Sequence, residues 1–392
     1  MSQAKLYASL IGVLAVEAQR HWWPTGQVNT VASKLWYTAA GEAVLAESKE
    51  IKPLTVLDVA AVERLRALIA ERTTVSTAAL LPAEPTRETR SSAVESNSQF
   101  RELLDETAAN LSALPDKPEE TAENTLRALW QAAAGKPMSA EQAAVTTLPA
   151  LNESTQTRLR ELLAQRFSGT PLAHLTGWQR FMGMELMASG EALVPRKETE
   201  LLGTLALTVL RQLTRDQKTT RVIDVCTGAG NLALTLATQV PAAQVYASDL
   251  SVEAVQLARR NGIMLGLGSR VEFRQGDFLN PFADGQFDHN IDLLVCNPPY
   301  ISTGKVSTMP TEIIGHEPSL AFDGGPFGVK ILQRLLTEAP QYLRPGGWLT
   351  FEVGLGQGQS LIDRLRRNPA YADVAGVVDA AGAVRAVVAR VQ

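Results

Sequence analysis

The sequence predicts an α/β fold: an open, mainly parallel sheet preceded by helical segments. Three observations carry that expectation. The apolar run 221–225 passes through Cys226, Thr227, Gly228, Ala229, Gly230 and Asn231 into a helix-like run, 232–240, giving a strand, a glycine turn and a helix. Two further apolar runs, 244–248 and 271–276, stop at the acids Asp249 and Asp277. A fourth, 291–296, stops at Asn297, Pro298, Pro299 and Tyr300. Strands alternating with helical runs build parallel sheets, and such sheets bind ligands at the carboxyl ends of their strands. All four sets of polar residues fall at those ends.

Upstream of the sheet the pattern is helical. Runs 5–20, 31–47 and 56–71 carry apolar residues near helical spacing, with Val59, Val62, Leu65, Leu68 and Ile69 as the clearest set. Trp22, Trp23, Trp36 and Tyr37 are dense enough to form a core or a dimer interface. Residues 82–99 change to Pro, Glu, Thr, Arg and Ser with almost no apolar content, the composition of a linker. Four more helices are expected at 100–114, 119–134, 139–148 and 153–167, the third opened by Ser139 as its cap. Short strands at 181–187 and 191–194 are expected to lead into the sheet. The domains expected are a helical module at 1–82, a linker at 83–98, a second helical domain at 99–168 and a ligand-binding α/β domain at 169–392.

The run 297–300 indicates which atom such a site would handle. A strand ending in an asparagine and two prolines presents an amide oxygen and a backbone carbonyl that no neighbouring strand uses. Two acceptors side by side suit a flat NH2 group with a delocalised lone pair: a glutamine or asparagine amide, the exocyclic amine of adenine, or a guanidinium. Such a nitrogen is a poor nucleophile, so orientation is much of the catalytic problem, worth about 7 to 11 kcal/mol when complete. The simpler reading is a turn in which proline ends the ladder.

The D-x-x-x-G-x-G spacing from Asp224 to Gly230 differs from the G-x-G-x-x-G of a dinucleotide site. It resembles the first motif of S-adenosylmethionine-dependent methyltransferases. From about Arg166 onward the chain is similar to the protein glutamine-N5 methyltransferases, which modify release factors and a ribosomal protein. The segments that carry the similarity are 169–177, Arg180 and Phe181, 193–200, 296–301, 316–325 and 351–354. The resemblance implies a Rossmann-like seven-stranded sheet and S-adenosyl-L-methionine as cofactor. It places Asp224, Thr227, Gly228, Gly230, Asp249, Leu250, Asp277, Phe278 and Asn297 at that cofactor, with Asp249 on the ribose hydroxyls and Asp277 on the adenine amine. It makes Asn297, Pro298 and Tyr300 catalytic, and puts Arg196, Thr199, Pro299 and Glu317 at the substrate, under cover of the second helical domain. Glu317 also reads as one half of a loop-anchoring ion pair, and Glu352 as an anchor of the sheet edge.

The chain departs from that family at Cys226, where a glycine is frequent, at Lys197, where a second proline is usual, and in the hundred or so residues before the second helical domain. The substrate classes therefore stand as a protein glutamine first, a small molecule such as the guanidino group of free L-arginine second, and a nucleic-acid amine third. A net charge of -4 lacks the basic excess of a chain that tracks phosphates, so no nucleic-acid partner is expected. Only Cys226 and Cys296 occur, which excludes a disulfide scaffold and suits a reducing cytoplasm. In the implied strand order the two are neighbours. Four histidines without ligand spacing give no metal site, no run is long enough to span a bilayer, and a homodimer through residues 1–82 is an expectation of the helical module.

Because the composition breaks at 82–99, a chain beginning near Gln99 is expected to fold and to bind S-adenosyl-L-methionine. Calorimetric titration checks this; an insoluble product would assign the first eighty residues to the core or to an obligate dimer.

Overall fold

The computed structural model describes residues 98–111, 116–216, 219–307, 315–379 and 381–392. The expected helices before residue 82, the aromatic residues among them, the linker and the homodimer surface lie outside the described residues.

Five helices come first: α1 (Ser98–Asn110), α2 (Ala122–Ala133), α3 (Ala140–Val145), α4 (Glu153–Phe167) and α5 (Leu172–Thr176). Three of them open on a polar cap. Side-chain oxygens of Thr121, Ser139 and Asn152 accept from the amides of Asn124, Gln142 and Thr155, which satisfies donors that a helix start leaves unpaired. Gly177, at φ 74°, ends α5. The helices share one apolar cluster that includes Phe100, Leu126, Trp130, Leu159 and Leu163, with Phe100 and Trp130 edge to face at 5.8 Å.

A hairpin follows, β1 (Trp178–Phe181) and β2 (Met184–Met187), paired from Trp178 opposite Met187 to Phe181 opposite Met184. One strand over 181–187 was expected here. Met182 and Gly183 instead both take positive φ, 46° and 88°, the backbone of a two-residue hairpin turn. The strand expected at 191–194 is not formed; Ala192 and Val194 are buried from a loop.

The sheet is built from α6 (Thr199–Asp216), β3 (Thr220–Val225), α7 (Asn231–Gln239), β4 (Ala243–Asp249), α8 (Val252–Met264), β5 (Val271–Gln275) and β6 (Ile291–Cys296). It is completed by α9 (Thr303–Val306), α10 (Lys330–Tyr342), β7 (Leu343–Glu352), α11 (Gly358–Arg367), β8 (Tyr371–Val378) and β9 (Val384–Val391). The seven strands lie in the order β5-β4-β3-β6-β7-β9-β8. β3 to β7 run parallel, and β9 enters antiparallel between β7 and β8. Alternate residues of each strand serve opposite faces. Val222, Val245 and Leu293 join α6, α7 and α8 in one core, whereas Ile223, Leu294 and Phe351 join α10 and α11 in the other.

The strand order reverses between β3 and β6, the place where open α/β sheets form a crevice at their carboxyl edge. Val225 there lies opposite Cys296, and Cys296 opposite Phe351, so the glycine turn after β3, Asn297 after β6 and Glu352 at the end of β7 emerge as neighbours.

Phe351 is fully buried in that central ladder. Phe351→Ala is expected to lower stability by about 3 to 5 kcal/mol through lost transfer energy and the cavity left behind. Chemical denaturation checks this; a loss under about 1 kcal/mol would mean that the site end of the sheet tolerates a void.

Candidate active site

Two cavities meet at Asn297. The first, about 440 Å³, lies over the carboxyl ends of β3, β4 and β5 and is lined by Thr227, Gly228, Asp249, Leu250, Asp277 and Phe278 among others. The second, about 590 Å³, is lined by Arg196, Glu198, Pro298, Tyr300, Glu352 and Arg385 among others. Leu193, Thr199, Asn297 and Ala321 belong to both walls.

The floor of the first cavity is set by two acids. Asp224, wholly buried near the end of β3, accepts from the Thr227 hydroxyl at 2.6 Å and the Ala233 amide at 3.1 Å, which draws the glycine turn back onto α7. Asp249 accepts from the Gly228 amide at 2.9 Å and the Ser251 amide at 3.0 Å, which ties the same turn to β4. Between them the backbone is left-handed at Cys226 (φ 61°), Gly228 (φ 55°) and Gly230 (φ 86°). A Cβ on Gly230 would also stand 3.0 Å from Leu234 and 3.2 Å from Ala258, so that glycine serves helix packing.

The structure places the expected residues unequally. Asp224 and Gly230 do not line the cavity; they shape the turn that does. Asp277 lines it, but both its oxygens already accept from Arg334 Nη1, at 2.9 and 3.1 Å, and the Arg334 guanidinium lies 4.8 Å from the centre of the Phe278 ring. Arg334, 57 residues away in sequence, gave no motif by which it would be found.

The residues of the first cavity fit S-adenosyl-L-methionine. Its volume is within the range of small-ligand sites. Asp249 accepts a backbone amide at each oxygen, and each oxygen has two lone pairs, which leaves acceptor capacity for a sugar hydroxyl. Leu250 and Phe278 supply apolar surface for a base, and Gly228, without a Cβ, lets the backbone come close.

In the second cavity Asn297 donates from Nδ2 to Thr199 Oγ1 at 3.3 Å. Tyr300 donates its hydroxyl to Glu352 at 2.8 Å, and Gln357 donates to the Tyr300 carbonyl at 3.0 Å. The segment 297–300 is pressed by two glycines: a Cβ on Gly324 would stand 2.6 Å from the Pro299 carbonyl oxygen, and one on Gly328 would stand 2.2 Å from that of Tyr300. The Pro298 carbonyl takes no hydrogen bond from any described residue.

Arg196 pairs with Asp116 at 3.2 Å and with Glu317 at 3.1 Å, which links the segment before α2 to the segment after β6. Glu317 is buried in that pair and lines neither cavity, so it is the loop-anchoring reading that its geometry matches. Pro299 lines the first cavity and not the second. Glu352, read from sequence as a sheet anchor, is 1% exposed, and burial raises its pKa. Arg385, which lies 3.7 Å from Glu198, had no sequence signal at all. Cys226 lines the first cavity while Cys296 is buried beside it, its thiol pKa pushed well up by burial and by the Cys226 thiol.

Burial raises the Asp224 pKa from its ordinary 3.8 to about 7, against the pull of its hydrogen bonds from Thr227 and Ala233. Between those values the folded chain holds a proton that the unfolded chain has released, so stability falls as pH rises through that window. Asp224→Asn keeps one acceptor oxygen and cannot titrate. Melting curves are expected to show the wild type losing stability relative to Asp224→Asn as pH goes from 3.8 to about 7; parallel profiles would overturn the shift.

A family model described as methyltransferase small domain matches residues 203–326. The release factor glutamine methyltransferase of Moorella thermoacetica is 40% identical over 225 residues, 57% of this chain and 76% of that protein. That of Geobacter sulfurreducens is 35% identical over 218 residues, covering 56% of this chain and 72% of its own length. That of Bradyrhizobium diazoefficiens is 35% identical over 274 residues, covering 69% and 89%. At such identity over most of each relative, the chain belongs to the release factor glutamine methyltransferase family and is an S-adenosyl-L-methionine-dependent methyltransferase.

Proposed function

We propose that the enzyme methylates the side-chain amide nitrogen of a glutamine in a protein of the release-factor type. One observation carries this reading: Asn297 stands on the shared wall of two cavities, one fitted to the cofactor and the other lined by Pro298 and Tyr300. When bound in the first cavity, S-adenosyl-L-methionine supplies an electrophilic methyl group.

The remaining work falls to the protein. The Asn297 nitrogen is held by Thr199, which leaves its amide oxygen as an acceptor beside the unused Pro298 carbonyl. These two oxygens take the two N–H bonds of the target amide and aim its nitrogen. Tyr300, fixed at its hydroxyl by Glu352, offers its ring to the flat group. No side-chain base is assigned, because an amide nitrogen that gains a methyl group becomes strongly acidic and loses its proton to water.

The second cavity favours a protein over a free amino acid. Phe327 and Leu355 line it and are 83% and 70% exposed, a bare apolar rim of the kind that marks interaction surfaces.

Mass spectrometry of a purified release factor and of free arginine, each incubated with enzyme and cofactor, tests the substrate. A gain of one methyl on a glutamine of the release factor is expected, and methylation of arginine alone would overturn the reading. Asn297→Ala is expected to keep cofactor affinity and to lower single-turnover rates about a hundred- to a thousandfold, as when one preorganised partner is lost. Rates near wild type would remove Asn297 from the chemistry.

A further inference from the structure

We propose that Asn231, turned by Gln179, is the side chain that recognises the carboxylate end of the cofactor. Both act on the first cavity, so their role does not depend on which substrate the second one takes. S-adenosyl-L-methionine carries one anion, the carboxylate of its amino-acid arm. The acids on the cavity wall, Glu191, Asp249, Asp277 and Asp323, only oppose that charge, so the carboxylate needs N–H donors that have no other partner.

The start of α7 supplies them. Gly230, the cap residue, has no side chain to offer, and the amides of Asn231 and Leu232 meet no acceptor among the described residues. Both residues line the cavity. Open amides and a helix dipole favour an anion, but every helix start has them. The Asn231 side chain sets this one apart. It is 9% exposed, and its Oδ1 accepts from Gln179 Nε2 at 3.0 Å. Its NH2 donates to no described residue and stays open at the cavity wall.

Gln179 decides which end of that amide faces the cavity. It is buried on β1, outside the cavity lining. Because it gives its NH2 to Asn231, the Asn231 oxygen is drawn back and the nitrogen is left forward. The arrangement leaves Gln179 Oε1 buried without a partner. Exchanging the ends of both amides would bury an NH2 with no acceptor instead, and interiors tolerate an orphaned carbonyl oxygen better than an orphaned N–H. The hairpin also holds Gln179 from its other strand. Asn261, fully buried on α8, accepts from the Met187 amide at 2.7 Å and donates to the carbonyls of Met187 at 3.2 Å and Ala229 at 3.0 Å. Strand β2 is thereby bonded to the glycine turn, and β1 pairs with β2, Gln179 opposite Leu186.

Calorimetric binding of two adenosine ligands to the full chain tests this without methyl transfer. S-adenosylhomocysteine keeps the amino-acid arm with its carboxylate; methylthioadenosine has the same base, sugar and sulfur without it. Asn231→Asp still accepts from Gln179 but turns an oxygen toward the cavity. It is expected to weaken S-adenosylhomocysteine about 10- to 100-fold, the usual range for a lost hydrogen bond to a charged group, and to leave methylthioadenosine unchanged. Equal losses for the two ligands, or no loss for either, would overturn the proposal. If Asn231→Asp does not fold, Asn231→Ala carries the same comparison.

The positioning role of Gln179 has its own readout. Gln179→Met removes the hold on the Asn231 oxygen and is expected to give a smaller loss with the same preference, S-adenosylhomocysteine weakened and methylthioadenosine not. Joined to Asn231→Asp it is expected to add nothing, because Gln179 acts only through Asn231. Additive losses in the double variant, or a loss for both ligands in Gln179→Met, would sink that role. Two cationic side chains also line the cavity, Arg334, held by Asp277 and Glu338, and Lys330. A loss confined to S-adenosylhomocysteine in Lys330→Met and absent from Asn231→Asp would give the carboxylate to Lys330 and overturn the assignment to Asn231.

Discussion

The site depends on one register: β3 and β6 lie parallel with Val225 opposite Cys296. These strands are separated by more than sixty residues of sequence, and their pairing sets the glycine turn beside Asn297. A slip of one residue would turn every side chain of a strand to the opposite face and exchange its partners between the two cores. Ile223 and Leu294 point into one core, Val222 and Leu293 into the other, so the slip is opposed by both faces of the sheet. The apolar packing that holds the fold thus also holds the distance between the glycine turn and Asn297.

Around that register the backbone carries strain where the ligand surfaces are. Among the described residues, positive φ at a non-glycine position occurs at Met182, Cys226, Phe278, His289 and Asp373, and two of these, Cys226 and Phe278, line the first cavity. A left-handed residue with a Cβ costs of order 1 to 2 kcal/mol. Cys226 meets that cost and adds a side chain that lies against the Cys296 thiol. Neighbouring constraints hold the strained turn: Asp224 from below, Asp249 from the side and the Thr227 amide bonded to the Ser248 carbonyl at 3.0 Å.

Much of this was legible in the sequence because the sheet announces itself locally. The run 291–296 is a strand with the expected bounds, and the helix expected at 153–167 is α4. Elements failed to be read where tertiary context chose the backbone. Nothing in 181–187 showed that Met182 and Gly183 would both turn left-handed, and Ala192 and Val194 look like strand residues because they are buried, although from a loop. At the site, residues adjacent to a motif were found and residues that meet it in space were not. Arg334 and Arg385 reach Asp277 and Glu198 from distant elements, and a single sequence has no pattern for such pairs. Asp224 and Gly230 were expected as ligand contacts, and neither lines the first cavity. The glycine turn has a face toward the ligand and a face toward α7, and the spacing alone does not say which residue serves which.

The acids at the strand ends show why the two faces need separate treatment. Asp224 and Glu352 are buried and Asp249 is half-buried, and desolvation raises the pKa of each. Their hydrogen bonds differ in kind. Asp224 spends itself within its own turn, Asp249 on backbone amides, and Glu352 on the hydroxyl of Tyr300, a side chain that lines the second cavity. A buried carboxylate bonded within its own turn fixes that turn, and its cost is offset locally. One bonded to a hydroxyl from a distant segment sets the direction in which that hydroxyl donates. Asp224 and Asp249 thus shape the cofactor wall, while Glu352, within the segment 351–354, fixes the Tyr300 hydroxyl on the side of the second cavity.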